Sequence, residues 1–167
     1  MEAVTIYNFQ QGYEKLLKIT DEKKILLKEI IRDVRDAKAK SLLDIGSGDG
    51  TLSFPLSKTV EKYLAIDKNP GYTDRFKKRG LKIITGSFPL KLKDTFDFIL
   101  SSHSLSKYCY DESAYRFFIE EAWKVLKPGG KLLIVTLKRD DSPWSIFTEM
   151  AKVGGRDPSH IPFNHVI

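Results

Sequence analysis

An acid followed by closely spaced glycines is the first feature of this sequence that could do chemistry. Asp44 lies in the short apolar run 42–45, and Gly46, Gly48 and Gly50 follow at every second position. The run predicts a buried strand, and the glycines suit a backbone that turns sharply and lets a ligand come close. A carboxylate at a strand end can pair with a ligand ammonium or cap the amides of the loop, and both interpretations stay open.

A second acid, Asp67, ends the apolar segment 62–66, about 20 residues beyond the first glycine. At that distance an acid accepts hydrogen bonds from ribose hydroxyls in nucleotide-binding α/β proteins. The alternative is a turn-capping role before Asn69. The dinucleotide pattern G-x-G-x-x-G is not met, because Thr51 stands where the third glycine would fall. Asp49 also places negative charge where a pyrophosphate would lie, so the pattern disfavours NAD.

Strand-like and helix-like segments alternate along the chain and must position these acids. The predicted strands are 41–45, 62–66, 81–85, 96–100 and 131–137. The predicted helices are 13–39 (with a break that Thr20 and Asp21 would cap), 51–58, 72–79, 111–126 and 144–153. The alternation predicts an α/β fold with a doubly wound, mostly parallel sheet and right-handed crossovers. The carboxyl ends of its strands would line the ligand site.

Four segments in this order, LLDIGSGDG, LAID, FDFIL and LKPGGKLLIV, resemble the class I S-adenosylmethionine-dependent methyltransferases. The resemblance covers about 41–137 and implies a Rossmann-like methyltransferase fold of seven strands. It implies an enzyme that uses S-adenosyl-L-methionine and releases S-adenosyl-L-homocysteine. The cofactor-binding core would be 41–140, preceded by a helical segment, 1–40, and followed by a helix and turn-rich tail, 141–167.

The resemblance also implies roles for individual residues. Asp44 would lie near the ammonium of the cofactor, Gly46 and Gly48 under its methionyl part, and Asp67 at its ribose. Ser87 stands where the family often has an acid for the adenine amine, and Phe88 beside it could pack on the adenine ring. The full set of expected cofactor-binding residues is Asp44, Gly46, Ser47, Gly48, Asp67, Lys68, Ser87, Phe88 and Ser101.

Catalysis of methyl transfer needs a base only if the acceptor must lose a proton. His103 follows the fourth strand, where an acceptor would approach, and is either a base, a substrate contact or a structural polar residue. Ser101 and Tyr108 are weaker candidates. The Asn/Asp-Pro-Pro-Tyr/Phe pattern of enzymes that methylate planar nitrogens is absent, which disfavours adenine in nucleic acid as the acceptor. His160 and His165 have no acid or cysteine at ligand spacing, so we expect no metal.

Composition restricts the partners. The 167 residues carry a net charge of +6, which keeps RNA open as a partner, although the basic segment 75–79 is more typical of a solvated helix face than of a nucleic-acid patch. The sequence has no apolar run of membrane-spanning length and no secretory signal pattern. The single cysteine, Cys109, cannot form an internal disulfide, so we expect a cytoplasmic protein.

The end of the chain departs from the family pattern. The family core continues beyond the fifth strand with a helix and an antiparallel strand pair, which we expect this chain to lack, as a fragment or shortened form. The apolar strand 131–137 would then be an open edge that a second copy could cover in a homodimer. Three functions follow as alternatives: a methyltransferase acting most readily on a small molecule, a non-catalytic cofactor-binding scaffold, and a basic RNA-modifying methyltransferase.

Overall fold

The computed structural model describes residues 21–105 and 112–136, which form one parallel sheet with helices packed on both of its faces. Its strands are Ser41–Ile45 (β1), Lys62–Asp67 (β2), Ile83–Thr85 (β3), Phe96–Ser102 (β4) and Leu126–Val135 (β5). Their order is β3-β2-β1-β4-β5, and every neighbouring pair is parallel. This confirms the predicted doubly wound fold. The expected loss of the antiparallel pair concerns chain beyond β5, outside the described residues.

One helix precedes β1, and helices occupy three of the connections between the described strands, as the alternation predicts. They are Glu22–Asp36 (α1), Ser53–Leu56 (α2), Thr73–Lys77 (α3) and Glu112–Lys124 (α4), with 3₁₀ turns at Ser57–Thr59 and Pro70–Tyr72. Helix α1 begins directly after Asp21, where the sequence predicts a break. The predicted helix over 144–153 and the part of the first helix before residue 21 lie outside the described residues.

Alternate side chains of β1 are buried on opposite faces of the sheet, since successive residues of a strand point to opposite sides. Leu42 packs with Ile30 and Val34 of α1, and Leu43 packs with Phe118 of α4 on the other face. All five residues are at most 2% exposed. Burial of such side chains stabilises the fold by roughly 1.5–3 kcal/mol each, so β1 is held from both sides.

Strand β5 begins earlier than the sequence predicts. Phe96 pairs with Leu126 but Phe98 pairs with Lys131, so the residues 127–130 bulge out of the ladder. We expected this Lys-Pro-Gly-Gly segment to end the preceding helix, and α4 does end just before it. The bulge itself is not part of that prediction. It depends on glycine at position 130, because a Cβ there would lie only 2.9 Å from a backbone oxygen of Asp97.

Asp97 fastens the amino end of β1 to β4. Its Oδ2 accepts hydrogen bonds from the amide (2.8 Å) and hydroxyl (2.7 Å) of Ser41 and from the amide of Lys40 (3.1 Å). Its Oδ1 lies 2.9 Å from Nζ of Lys127, which the bulge carries. Burial favours the neutral acid, but the bonds from Ser41 and Lys127 outweigh it and lower the pKa of Asp97 to about 2. The candidate active site lies at the opposite end of the sheet, where β1 and β4 have their carboxyl ends.

Candidate active site

The site lies where the strand order reverses, between β1 and β4. Ile45 pairs with Ser101, so the two chains leave the sheet side by side at their carboxyl ends. Open α/β sheets bind ligands in the crevice that forms at such a switch point. The predicted glycine loop, 46–50, forms one wall of this crevice, and the segment 102–105 forms the other.

The three glycines of the loop all have positive φ, but only one of them is open to a ligand. A Cβ at Gly46 would lie 2.2 Å from Cβ of Ser104, and one at Gly50 would lie 2.3 Å from the ring of Phe54. A Cβ at Gly48 would meet nothing within 4 Å among residues 21–105 and 112–136. The protein's own side chains therefore fill the space at Gly46 and Gly50, and Gly48 is the position that leaves room for a ligand.

Asp67 holds the open glycine in place. Its Oδ2 accepts a hydrogen bond from the amide of Gly48 (2.7 Å), and its Oδ1 accepts one from the amide of Asn69 (2.8 Å). The carbonyl of Ile66 accepts the amides of Gly46 and Ser47. The end of β2 thus shapes the glycine loop directly, and the Asp67 carboxylate, 8% exposed, lies beside Gly48. The turn-capping role considered as an alternative for Asp67 is also seen, in the bond from Asn69.

Asp44 is buried beneath the loop. It is 2% exposed, and its Oδ2 accepts hydrogen bonds from the hydroxyls of Ser53 and Tyr63, both at 2.6 Å. Burial raises the pKa of Asp44 against the effect of these two bonds, and the nearby charge of Asp67 raises it further. A buried carboxyl whose ionised form is disfavoured would be stabilised by a ligand cation beside it.

Three buried side-chain atoms around the crevice have no hydrogen-bond partner among the described residues. They are Oγ of Ser47 in the glycine loop, Oγ of Ser102 at the end of β4, and Nε2 of His103 next to it. Buried polar atoms are nearly always paired, so a group of unpaired ones calls for an explanation. A polar ligand seated between the two walls would provide one.

His103 adopts a backbone conformation that few residues other than glycine adopt. Its φ is +52°, and its amide donates to the carbonyl of Val135 at 2.8 Å. Its Nε2 lies 2.9 Å from Oε1 of Glu22, at an angle outside that of a good hydrogen bond. Strained backbone of this kind clusters at functional sites. Sequence reasoning missed Glu22, since no local pattern links the start of α1 to the end of β4.

The first turn of α1 also reaches the glycine loop. Nζ of Lys23 lies 3.4 Å from Oδ1 of Asp49, whose two oxygens also accept the amide and hydroxyl of Thr51. Burial favours the neutral acid, but the bonds from Thr51 and the charge of Lys23 outweigh it and lower the pKa of Asp49. Glu22 and Lys23 therefore contact opposite walls of the crevice.

The remaining predicted residues are placed less favourably. The Ser101 hydroxyl is fully buried and bonds to the Ser104 hydroxyl at 2.7 Å, and Ser104 in turn donates to the carbonyl of Ile45. Phe88 is 4% exposed and packs edge-on against Phe118, which is a core contact. Ser87 and Lys68 are exposed after β3 and β2. Tyr108, His160 and His165 lie outside the described residues.

Two further findings concern the described part of the chain alone. Residues 21–105 and 112–136 contain no group of three or more His, Cys, Asp or Glu side chains that could hold a metal ion. None of the helices within these ranges is long and apolar enough to cross a membrane.

A glycine loop at the switch point and an acid at the end of β2 are typical of α/β domains that bind nucleotides. The chain matches the family model of the methyltransferase domain over residues 43–134, which is more than half of its length. It therefore belongs to that family. The predicted relationship to class I S-adenosylmethionine-dependent methyltransferases is confirmed at the level of the family.

Solved structures share the fold at low sequence identity. An S-adenosylmethionine-dependent methyltransferase from Clostridium acetobutylicum ATCC 824 is 20% identical, with a TM-score of 0.63 over 78% of this chain and 56% of that one. DesVI from Streptomyces venezuelae is 20% identical, with a TM-score of 0.64 over 74% of this chain and 54% of that one.

A third structure is CalS10 with bound S-adenosylmethionine, an amino pentose methyltransferase from Micromonospora echinaspora. It is 18% identical, with a TM-score of 0.64 over 75% of this chain and 54% of that one. This chain thus spans little more than half the length of these structures. No curated protein matches the sequence significantly.

Proposed function

We propose that this chain transfers a methyl group from S-adenosyl-L-methionine to a small-molecule acceptor by in-line displacement. The observation that carries the proposal is the pair of buried hydroxyls of Ser47 and Ser102, which have no hydrogen-bond partner among the described residues, together with the open position at Gly48. A ligand with ammonium, carboxylate and hydroxyl groups could satisfy such atoms. This composition fits the methionyl and ribose parts of the cofactor.

Each proposed contact uses an atom that the fold leaves available. The carboxylate of Asp67 accepts one amide on each oxygen and retains lone pairs for ribose hydroxyls. Both hydroxyl donors to Asp44 end on Oδ2, so Oδ1 is the oxygen proposed for the ligand ammonium. Ser47 is proposed for the methionyl carboxylate, and Lys68 and Ser87 for the adenosine end, where both are exposed.

Two of the expected contacts need revision in this proposal. The Ser101 hydroxyl already bonds to Ser104, so it would support the wall of the crevice more readily than it would touch the cofactor. Phe88 is 4% exposed and packs on Phe118, so little of its ring would reach the adenine. Because Gly46 has no side chain, Ser104 can pack against it, while Gly48 would face the ligand.

The proposed reaction requires little covalent chemistry from the protein itself. When bound, S-adenosylmethionine supplies an activated methyl group on a positively charged sulfur. The chain would bring the acceptor into line with this group and exclude water, which can lower a barrier by roughly 7–11 kcal/mol. His103, at the end of β4, is proposed as the group that contacts the acceptor or removes its proton.

The acceptor proposal rests on what the sequence offers and lacks. The motif for planar nitrogens is absent from the segment after β4, and CalS10, a structural neighbour, is an amino pentose methyltransferase. Because the chain has a single cysteine, we propose that the reaction takes place in the cytoplasm. A homodimer through the edge strand β5 is proposed as the assembly, and light scattering at several concentrations would test it.

Calorimetry tests cofactor binding, which the proposed function requires whatever the acceptor is. We expect S-adenosylhomocysteine to bind the full chain and NAD not to bind. Asp67→Ala should weaken this binding by about tenfold or more, because it removes the ribose acceptor and frees Gly48. Asp67→Asn keeps one carbonyl oxygen and should lose less. Equal affinity for all three proteins would contradict the ribose role, and no binding by the wild type would contradict the function.

RNA is a second candidate acceptor because of one basic cleft. A cleft of about 530 Å³ is lined by Arg75, Lys78 and Arg79 together with the loop residue Asp49. The guanidinium of Arg79 lies 4.1 Å from the ring centroid of Phe54. Binding of tRNA that weakens steeply with salt, and is reduced by Lys78→Ala, would favour this acceptor over a small molecule.

A further inference from the structure

We infer that Glu22 is a positioning residue that orients the imidazole of His103 to accept a proton from the methyl acceptor. The inference rests on the proposed function and names the acceptor class, a compound whose reacting nitrogen or oxygen carries a dissociable proton. It concerns a contact between the first residue of α1 and the end of β4, in which Oε1 lies 2.9 Å from Nε2.

Both partners of this contact are held on rigid parts of the fold. Glu22 opens α1, which is anchored in the core by Ile30 and Val34. The backbone of His103 is fixed by its own amide bond to Val135, and next to it the Ser104 hydroxyl donates to β1. These bonds hold the left-handed backbone at His103, so Nε2 of the imidazole is kept 2.9 Å from the Glu22 carboxylate.

The chemistry of the pair sets the tautomer of the imidazole. A carboxylate can only accept, so the contact is favourable when Nε2 carries the hydrogen. In the neutral ring the lone pair is then on Nδ1. Contact with His103 lowers the pKa of Glu22 more than burial raises it, and the charge of Lys23 contributes in the same direction. Glu22 is therefore an anion beside Nε2 at neutral pH.

The proton balance of the reaction then follows. The acceptor's nitrogen or oxygen gains the methyl group as the sulfur–methyl bond breaks, and the electron pair of that bond stays on sulfur. The proton of the acceptor passes to Nδ1 of His103. The imidazolium so formed is paired with Glu22, and it returns the proton to water once the product leaves. A carboxylate that orients a histidine and stabilises its protonated form recurs among hydrolases, where its loss costs much activity.

Nitrogen-15 NMR of the full chain with S-adenosylhomocysteine tests the tautomer directly. Since the chain has three histidines, His103→Gln identifies the signals of interest. At pH 8 we expect the Nε2–H tautomer in the wild type, averaged tautomers in Glu22→Ala, and a largely retained preference in Glu22→Gln, whose carbonyl can still accept. Glu29→Ala, in an exposed pair with Arg32 of the same helix, is the matched control and should leave the signals unchanged.

Methyl transfer supplies the second readout, with tyramine as a probe that carries both an amine and a phenol. Glu22→Ala should lower kcat by about tenfold or more, with Glu22→Gln in between and Glu29→Ala unchanged. Identical His103 signals in the wild type and Glu22→Ala, equal kcat values, or no transfer to tyramine would each overturn the inference. If calorimetry shows that the wild type does not bind S-adenosylhomocysteine, the proposed function fails first, so the two failures are distinct.

Discussion

Alanine at Gly46 and at Gly48 should separate the two purposes that glycine serves in this loop. Both residues have positive φ, +76° and +59°, so a Cβ at either costs roughly 1–2 kcal/mol from the backbone alone. Only at Gly46 does the new methyl meet an atom, Cβ of Ser104 at 2.2 Å. Overpacking of this kind adds about 1–3 kcal/mol. We therefore expect Gly46→Ala to destabilise the fold by about 2–5 kcal/mol and Gly48→Ala by about 1–2 kcal/mol.

Ligand affinity should show a different pattern. The methyl of Gly48→Ala would project into open space on the proposed ligand side, so it should weaken S-adenosylhomocysteine binding by about tenfold or more in a folded protein. Urea unfolding followed by circular dichroism measures the first effect, and calorimetry on the folded variants measures the second. Equal stability of the two variants, or unchanged affinity of Gly48→Ala, would refute this account of the loop.

Ser104→Gly provides an internal check on the steric part. Once the Ser104 Cβ is removed, the nearest atom to a Cβ at position 46 is the backbone Cα of residue 104 at 3.6 Å, an ordinary contact. The single variant loses the hydroxyl bonds to Ser101 and to the carbonyl of Ile45. The double variant Gly46→Ala, Ser104→Gly should nevertheless be about 1 kcal/mol or more better than the sum of the single changes. Simple additivity would show that the clash does not explain the cost.

Two further predictions concern hydrogen-bonded acids at opposite ends of the sheet, the buried Asp44 and the partly exposed Asp97. Tyr63→Phe should destabilise the fold by about 1–3 kcal/mol, because it removes a donor to buried Asp44. As the pKa of Asp44 is already raised and would rise further, the loss in urea unfolding should be larger at pH 7 than at pH 4. Asp97→Asn should cost about 1–2 kcal/mol at pH 7 after allowance for solvent screening. The folded pKa of Asp97, about 2, lies below its usual 3.8, so this contribution is complete above pH 3.8 and is lost as pH falls through 2. Asp36→Asn, at an exposed residue that ends α1, is the control, and a loss that does not depend on pH would contradict the assignment.

The elements of the fold could be predicted from the sequence where one local signal dominates. The apolar run of β1 predicts its bounds, Ser41–Ile45, because both faces of that strand are buried and no other structure suits the pattern. At β5 the local signals conflict. A Lys-Pro-Gly-Gly segment is typical of a turn. Here Leu126 of β5 pairs with Phe96 of β4, so the segment becomes a bulge inside β5. Only the partner strand decides between these outcomes.

The site could be predicted only as far as strand ends determine it. Asp44 and Asp67 come together because parallel strands share a carboxyl edge, and that much is topology. The uses of the glycines could not be predicted, since Ser104 and Phe54 are brought against Gly46 and Gly50 by tertiary packing. The sequence pattern gives the three glycines the same role. Their different roles depend on neighbouring side chains whose positions the pattern does not predict.

The buried hydroxyls of Ser47 and Ser102, which have no hydrogen-bond partner within the described part of the chain, bear on what this crevice is selected for. Each buried polar group without a partner costs roughly 1–3 kcal/mol, so replacement of the two serines by alanine would favour the fold alone. The same crevice carries positive φ at His103 and a buried carboxyl at Asp44 whose pKa burial raises. A fold under selection for stability alone would remove such features, and here they lie in the glycine loop, in β1 and at the end of β4. Their concentration at the switch point is best explained by a ligand that completes the missing hydrogen bonds and compensates the buried charge.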